Sequence, residues 1–487
     1  MKRAIVGVVI VMLIGLVVGS VGCEQQTEGY SYNRLGIEQY EKGDYRKAIE
    51  YYNKAIESDP NYAFAYSNRG LAYAELKEYD KAISDYDKAI EIKPDYAVAY
   101  FNRGLAYLNL GPLGWGNPEM VQKGITDLSK AIELNPEYAD AYYNRGLGYN
   151  QFYHYYFKPF SEGMVGSHNL AVADFSKVLE LDPDYVLAYA GLGNAYYRLG
   201  EWDKATKYYN RALEGEDLIL KKVGEEGLKG VYYSRGRNYA QFQRTHPDAI
   251  SDYEKVLEFD PESLDAFIHL ALLATTARDY EAALDYGNRG IALIEAGVTG
   301  PEMSLLYSYR AQCYSELGEY DKAIPDFETL FSYVEKGAAM PSGEVYQYMG
   351  FCYLKMGETE KAKETFEKGI AFINQQIATG GAWAAMGGIP SLYVSYWERG
   401  LCYQGLGEYD QAIDDFLKAR EYNPPILVYG RDFYVEATKN LGIVYMEMGN
   451  AEKAKSYLEE ALKRAELPEV GASETAKEIR ELLSRVS

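Results

Sequence analysis

The stretch that begins at Tyr66 returns almost intact 34 residues later. Tyr66-Ser67-Asn68-Arg69-Gly70-Leu71-Ala72-Tyr73 becomes Tyr100-Phe101-Asn102-Arg103-Gly104-Leu105-Ala106-Tyr107, and Lys81-Ala82-Ile83 echoes Lys47-Ala48-Ile49 upstream. A fixed period of this length is the strongest constraint on the fold, because each copy is one supersecondary unit that can bury its apolar face only against the next. Anchored on one small residue per copy, eleven units follow, at Gly36, Gly70, Gly104, Gly146, Gly193, Gly236, Ala271, Ala311, Gly350, Gly400 and Gly442. Gly43 before Asp44, Gly200 before Glu201 and Gly407 before Glu408 place a helix-stopping glycine ahead of an acidic residue suited to the next helix N-terminus. Each unit is therefore predicted to be a helical hairpin.

The positions within a unit carry a resemblance. The second unit supplies Tyr66, Gly70, Tyr73, Ala82, Tyr86, Ala89 and Pro94, and the tenth supplies Tyr396, Gly400, Tyr403, Ala412, Phe416, Ala419 and Pro424. This resembles the tetratricopeptide repeat family, with an aromatic at position four, a small residue at eight, Tyr at eleven, Ala at twenty, an aromatic at twenty-four, Ala at twenty-seven and Pro at thirty-two. The resemblance implies an all-α, right-handed superhelical α-solenoid of about eleven hairpins. A final stretch with Ile479, Leu482, Leu483 and Val486 at helical spacing reads as a C-terminal capping helix. The expected organisation is 1–22 a signal peptide or uncleaved anchor, 23–28 an anchor Cys and tether, and 29–213 the first five units. Residues 214–228 follow as a linker, 229–462 as units six to eleven, and 463–487 as the cap.

Repetition explains an unusual composition: of 50 Tyr, 31 fall on five positions of the unit, so most are packing residues multiplied by copy number. A formal net charge of -22 excludes nucleic acid as a ligand class, since phosphate binding needs clustered Lys and Arg. At the N-terminus, Lys2 and Arg3 precede an apolar run from Ala4 to Val18 and the small residues that lead into Cys23. Basic, apolar and small regions in that order read as an export signal. The end resembles that of bacterial lipoproteins, which implies lipidation of Cys23, although Ser20 stands where that family usually has Leu. An uncleaved anchor is the alternative, and both predict repeats that face away from the cytoplasm.

Used as an internal alignment, the units show one covariation. Arg occupies position seven as Arg69, Arg103, Arg145, Arg235, Arg310 and Arg399, and the same six units carry Asp85, Asp127, Asp174, Asp252, Asp326 and Asp415 at position twenty-three. The other five have Leu or Met at seven and Tyr or Thr at twenty-three. An ion pair between the two helices of one hairpin accounts for the pairing, because a guanidinium forks onto a carboxylate. A row of arginines that read an anionic ligand would not require the Asp.

No catalytic chemistry is legible. Gly191-Leu192-Gly193 opens like a nucleotide-binding fingerprint but lacks the third glycine, and His154, His168, His246 and His269 have no partner at helical metal-binding spacing. No cofactor or metal is expected. Cys313, Cys352 and Cys402 share position ten, where other units have Ala72, Ala106 and Ala195, and read as buried thiols too far apart for disulfides.

In the family the first helix of each unit lines a concave groove. Mapped here, that implies a peptide groove that includes Asn68, Phe101, Asn102, Tyr143, Asn144, Tyr197, Tyr233, Phe351 and Trp397, with packing between repeats as the competing role of each aromatic. Insertions interrupt the period near Trp115 and again at Phe152, Tyr153, Tyr155, Tyr156, Phe157 and Phe160, where they offer aromatic contacts or extend a helix. The expectation is a non-enzymatic scaffold of the cell envelope that binds proteins or peptides, with extended apolar or aromatic segments as partners. A self-associating envelope protein is the main alternative, and a small-ligand receptor or enzyme subunit lies further off.

Overall fold

A computed structural model describes residues 28–110, 117–152, 162–242, 247–300, 302–336, 343–378, 392–421, 432–467 and 473–486. Among these residues every regular element is a helix. The chain runs as antiparallel pairs: α1 (Glu28–Glu41) with α2 (Tyr45–Ser58), α3 (Ala63–Glu75) with α4 (Tyr79–Ile92), α5 (Ala97–Leu110) with α6 (Pro118–Leu134), α7 (Ala139–Phe152) with α8 (Glu162–Leu181), and α9 (Val186–Arg198) with α10 (Trp202–Leu213). After α11 (Glu216–Phe242) and α12 (Pro247–Phe259) the pairs resume, as α13 (Leu264–Thr276) with α14 (Tyr280–Glu295) and α15 (Ser304–Glu316) with α16 (Tyr320–Glu335). They end with α17 (Gly343–Lys355) and α18 (Thr359–Ala378), α19 (Leu392–Gly405) and α20 (Tyr409–Glu421), and α21 (Phe433–Glu447) and α22 (Ala451–Ala465), followed by the single helix α23 (Ser473–Val486). The helices fall into two compact units that divide between Arg235 and Gly236, and each is an all-α solenoid stack.

Small residues let the helices of a pair meet. A Cβ placed on Gly70 would lie 2.7 Å from the ring of Tyr86, which is itself buried between Ala82 and Ala89. The position-eight glycine therefore provides the seat for the position-twenty-four ring. At the first turn, Gly43 takes φ +78° and donates to the Tyr40 carbonyl at 2.9 Å, while Asp44 caps α2 by accepting from the Lys47 amide at 3.1 Å. Glycine adopts that left-handed conformation without a Cβ penalty, and the carboxylate satisfies an orphan amide of the next helix.

One feature modifies the expected plan. The segment 214–228, read as a linker, is helical through most of its length, and α11 bends where Gly224 takes φ +70°. The cap forms as expected: Ala476 and Ile479 of α23 are buried against Val435, Leu458, Ala461 and Ala465. None of the described helices is long and apolar enough to cross a membrane. The predicted signal or anchor, 1–22, and Cys23 lie outside the described residues.

Candidate peptide-binding face and the residues that brace it

The repeated arginines are structural. Each of five forms a two-pronged fork on the Asp of its own hairpin: Arg69 on Asp85 at 2.8 and 2.6 Å, Arg103 on Asp127 at 2.7 and 2.7 Å, and Arg145 on Asp174 at 2.8 and 2.7 Å. Arg310 on Asp326 and Arg399 on Asp415 repeat the geometry with both contacts at 2.7 Å. Asp252 of the sixth pair is buried, and Arg235 donates to Asn210 at 2.8 Å. The carboxylates are nearly enclosed, with side-chain exposures of 3–8% in the five forks. Burial pushes the Asp85 and Asp174 carboxyls above the usual range, against the pull of the facing guanidinium.

A second partner extends each fork into the preceding repeat. The remaining Nη1 of Arg69 donates to Asn53 at 2.6 Å, that of Arg103 to Asp87 at 2.6 Å, that of Arg145 to Ser129 at 3.0 Å, and that of Arg310 to Asn288 at 2.9 Å. These acceptors, with Asn210, share position twenty-five of their units, whereas Arg399 finds Asn374 farther along α18 at 2.5 Å. The guanidinium also lies over the Tyr one turn earlier, as in Arg69 on Tyr66 at 5.5 Å and Arg399 on Tyr396 at 5.4 Å. One side chain thus joins three helices of two repeats, with each of its three nitrogens donating a hydrogen bond. The arginines are spent on the scaffold.

The candidate groove residues divide. Phe101, Tyr143 and Trp397 are buried, and each packs on a ring from the following unit or loop: Phe101 on Tyr138 at 4.7 Å, Tyr143 on Tyr185 at 5.1 Å, and Trp397 on Phe433 at 5.5 Å. These three serve stacking, because a bulky ring at position five meets the aromatic that opens the next hairpin. The Asn row is likewise turned inward. Asn68 donates to Asn33 at 3.0 Å, and Asn33 in turn donates to the Tyr62 hydroxyl at 3.4 Å. Asn144 is buried and donates to the Asp140 carbonyl at 2.8 Å, while Asn102 is buried beside a small cavity bordered by Leu71, Tyr79 and Leu105. Among the described residues Asn68, Asn102 and Asn144 form no continuous ladder of amides that faces solvent.

Tyr197, Tyr233 and Phe351 are half-buried, the last with its ring 5.3 Å from Phe366. These retain exposed ring surface. Trp115, Tyr153, Tyr155, Tyr156, Phe157 and Phe160 lie outside the described residues, as does the side chain of Phe152.

Several braces had no sequence signal strong enough to find them. The buried Asp140 accepts from the Tyr185 hydroxyl at 2.8 Å across 45 residues, and burial raises its carboxyl; Lys222 lies over the Tyr185 ring at 4.9 Å. His269 stacks on Tyr253 at 4.8 Å, and burial, with Arg237 nearby, lowers its imidazole to about 4. Cys313, Cys352 and Cys402, by contrast, are the buried free thiols that their shared position predicts, with Cys352 Sγ 3.0 Å from the Ser315 hydroxyl. Among the described residues no group of His, Cys, Asp and Glu is arranged to hold a metal ion.

Family models match the repeats along the chain. A model described as TPR repeat matches residues 36–77, 70–111 and 166–200. Models described as tetratricopeptide repeat match 188–219, 233–297, 307–333, 344–368 and 391–467, so that the matched segments together cover more than half of the chain. No curated protein matches. Among solved structures, MamA is 30% identical, covering 38% of this chain and 97% of its own, at a TM-score of 0.32. YrrB, titled a TPR protein with an unusual peptide-binding site, is 21% identical over 44% of this chain and 95% of its own, at 0.33. Yeast Tom70 is 15% identical over 94% and 96%, at 0.40. On the repeat matches and the stacked hairpins together, the chain belongs to the tetratricopeptide repeat family.

Proposed function

We propose that this protein is a non-catalytic scaffold of the cell envelope that binds proteins or peptides on the exposed parts of its repeat faces. The observation that carries the reading is a difference in exposure. Unlike the buried rings Phe101, Tyr143 and Trp397, the aromatics Tyr197, Tyr233 and Phe351 are partly exposed, at positions that line the groove in this family. Large rings of this kind present apolar area at little entropic cost, which suits extended apolar or aromatic segments. Export and tethering rest on the N-terminal sequence: Lys2 and Arg3, the apolar run and Cys23.

An array of extended peptides probed with the full chain tests the binding role. Tyr197→Ala combined with Tyr233→Ala should weaken bound peptides by about tenfold or more, as truncation of an aromatic anchor does. Equal binding by the variant and the wild type would reject this face. Radiolabelled lipid incorporation into the wild type, lost in Cys23→Ser, checks the tether.

A further inference from the structure

The C-terminal unit is tied to itself across 200 residues of sequence. Oε2 of Glu478, on the capping helix α23, accepts from Lys439 Nζ at 3.3 Å and from Arg278 Nη2 at 2.9 Å. Lys439 lies on α21 in the eleventh repeat and is buried, with a second partner in Glu436 at 2.8 Å. Arg278 lies in the turn between α13 and α14 of the seventh repeat. The hairpins between these two points therefore form a closed circuit.

The sequence of the turns marks the same place. In the C-terminal unit the equivalent turn residues Gly318, Gly357, Gly407 and Gly449 take φ between +73° and +78°, whereas Arg278 occupies that left-handed region at +58°. A residue with a Cβ is disfavoured there, and glycine would be easier. This turn reaches the cap, through the long cationic side chain of Arg278. Tyr280 lies in the same field: burial, then the charges of Glu316 and Glu478, push its hydroxyl up to about 12.

The two ends of the contact differ in strength. The apolar face of α23 is seated on α22 through Ala476 and Ile479, and Thr475 and Arg480 add ties to Glu436 at 3.5 Å and Glu466 at 2.6 Å. The Arg278 side chain, by contrast, is 50% exposed and reaches Glu478 by one prong. An exposed pair of this kind is weak and sensitive to salt. We propose that Arg278 and Glu478 form a latch that closes the C-terminal unit onto its own capping helix, and that its release opens the face between the seventh and eleventh repeats while α23 stays seated.

Spin labels at Glu281→Cys and Glu481→Cys, in the full chain with Cys23→Ser, report the closure directly; the three repeat cysteines are buried. The wild type should give one short, narrow distance. Arg278→Glu should lengthen it by about 5 Å or more, the scale of one helical turn. Arg278→Gly should do the same while relieving the turn, so that opening occurs without loss of thermal stability. Raising the salt to about 1 M, where the Debye length is about 3 Å, should open the wild type towards the variants. A short distance that ignores both substitutions and salt would show that packing holds the ring and would overturn the latch. A long or broad distance in the wild type would overturn the closure itself.

Discussion

The two solenoid units solve the same stacking problem with different chemistry. In the N-terminal unit three consecutive repeats carry the fork, and Arg69, Arg103 and Arg145 each reach back to the preceding repeat through Asn53, Asp87 and Ser129. Tyrosines at the last position of a unit add further ties, as Tyr62 does with Asn33 and Tyr185 with Asp140. In the C-terminal unit Arg310 and Arg399 alternate with Leu270, Met349 and Leu441 at the same position. There Leu or Met takes the place of the arginine in alternate repeats, and Cys313, Cys352 and Cys402 fill the place of Ala72, Ala106 and Ala195. One family plan can thus be held by directional polar braces or by less directional packing. Braces fix register, and packing leaves closure to a separate device at α23.

The largest effect that would break this comparison is removal of one carboxylate from a fork. Asp85→Ala leaves the Arg69 guanidinium mostly enclosed and without its bidentate partner, and should destabilise the N-terminal unit by about 3 to 5 kcal/mol. Native-state hydrogen exchange would show the loss in α3 to α6, whereas an exposed pair would cost only about 0.2 to 1 kcal/mol.

Acid should separate the units in the opposite sense. His269 is held neutral at about 4 against an ordinary 6.5, so the unfolded chain binds a proton that the folded C-terminal unit refuses. Stability from this group is full above 6.5 and falls as pH drops towards 4, by up to about 3 kcal/mol at 1.36 kcal/mol per pH unit. Asp85, Asp140 and Asp174 have raised folded values, so their contribution to the N-terminal unit grows as pH falls through those values. Exchange protection measured from pH 6.5 to 4 should decline first in α13 to α16, and His269→Phe should remove that decline. Equal decline in both units, unchanged by the substitution, would erase the distinction.

Much of this was legible in the residues. The hairpins follow from the period, and the forks from Arg at position seven travelling with Asp at position twenty-three, because both partners belong to one repeat and so align with one another. The third partner was hidden, since it lies in the neighbouring repeat and Asn, Asp or Ser serves equally as acceptor. Burial of Phe101, Tyr143 and Trp397 depends on which ring the next hairpin presents, and a position number does not encode that. Lys439 gave no sign of its role either, because its partner Glu478 lies beyond the last repeat.

The covariation itself supplies the most direct test. Repeats that lack Arg at position seven carry Leu or Met there with Tyr or Thr opposite, so the molecule already contains the replacement for a fork. A double-mutant cycle of Arg69→Leu and Asp85→Tyr, followed by denaturant unfolding, should show each single change costing about 3 kcal/mol and the pair together no more than either alone. With single losses of about 3 kcal/mol each and a double loss no larger than either, the predicted coupling energy is about 3 kcal/mol, as expected for residues in one buried network. Losses that simply add, with no coupling, would contradict the account that the arginines exist to brace the repeats.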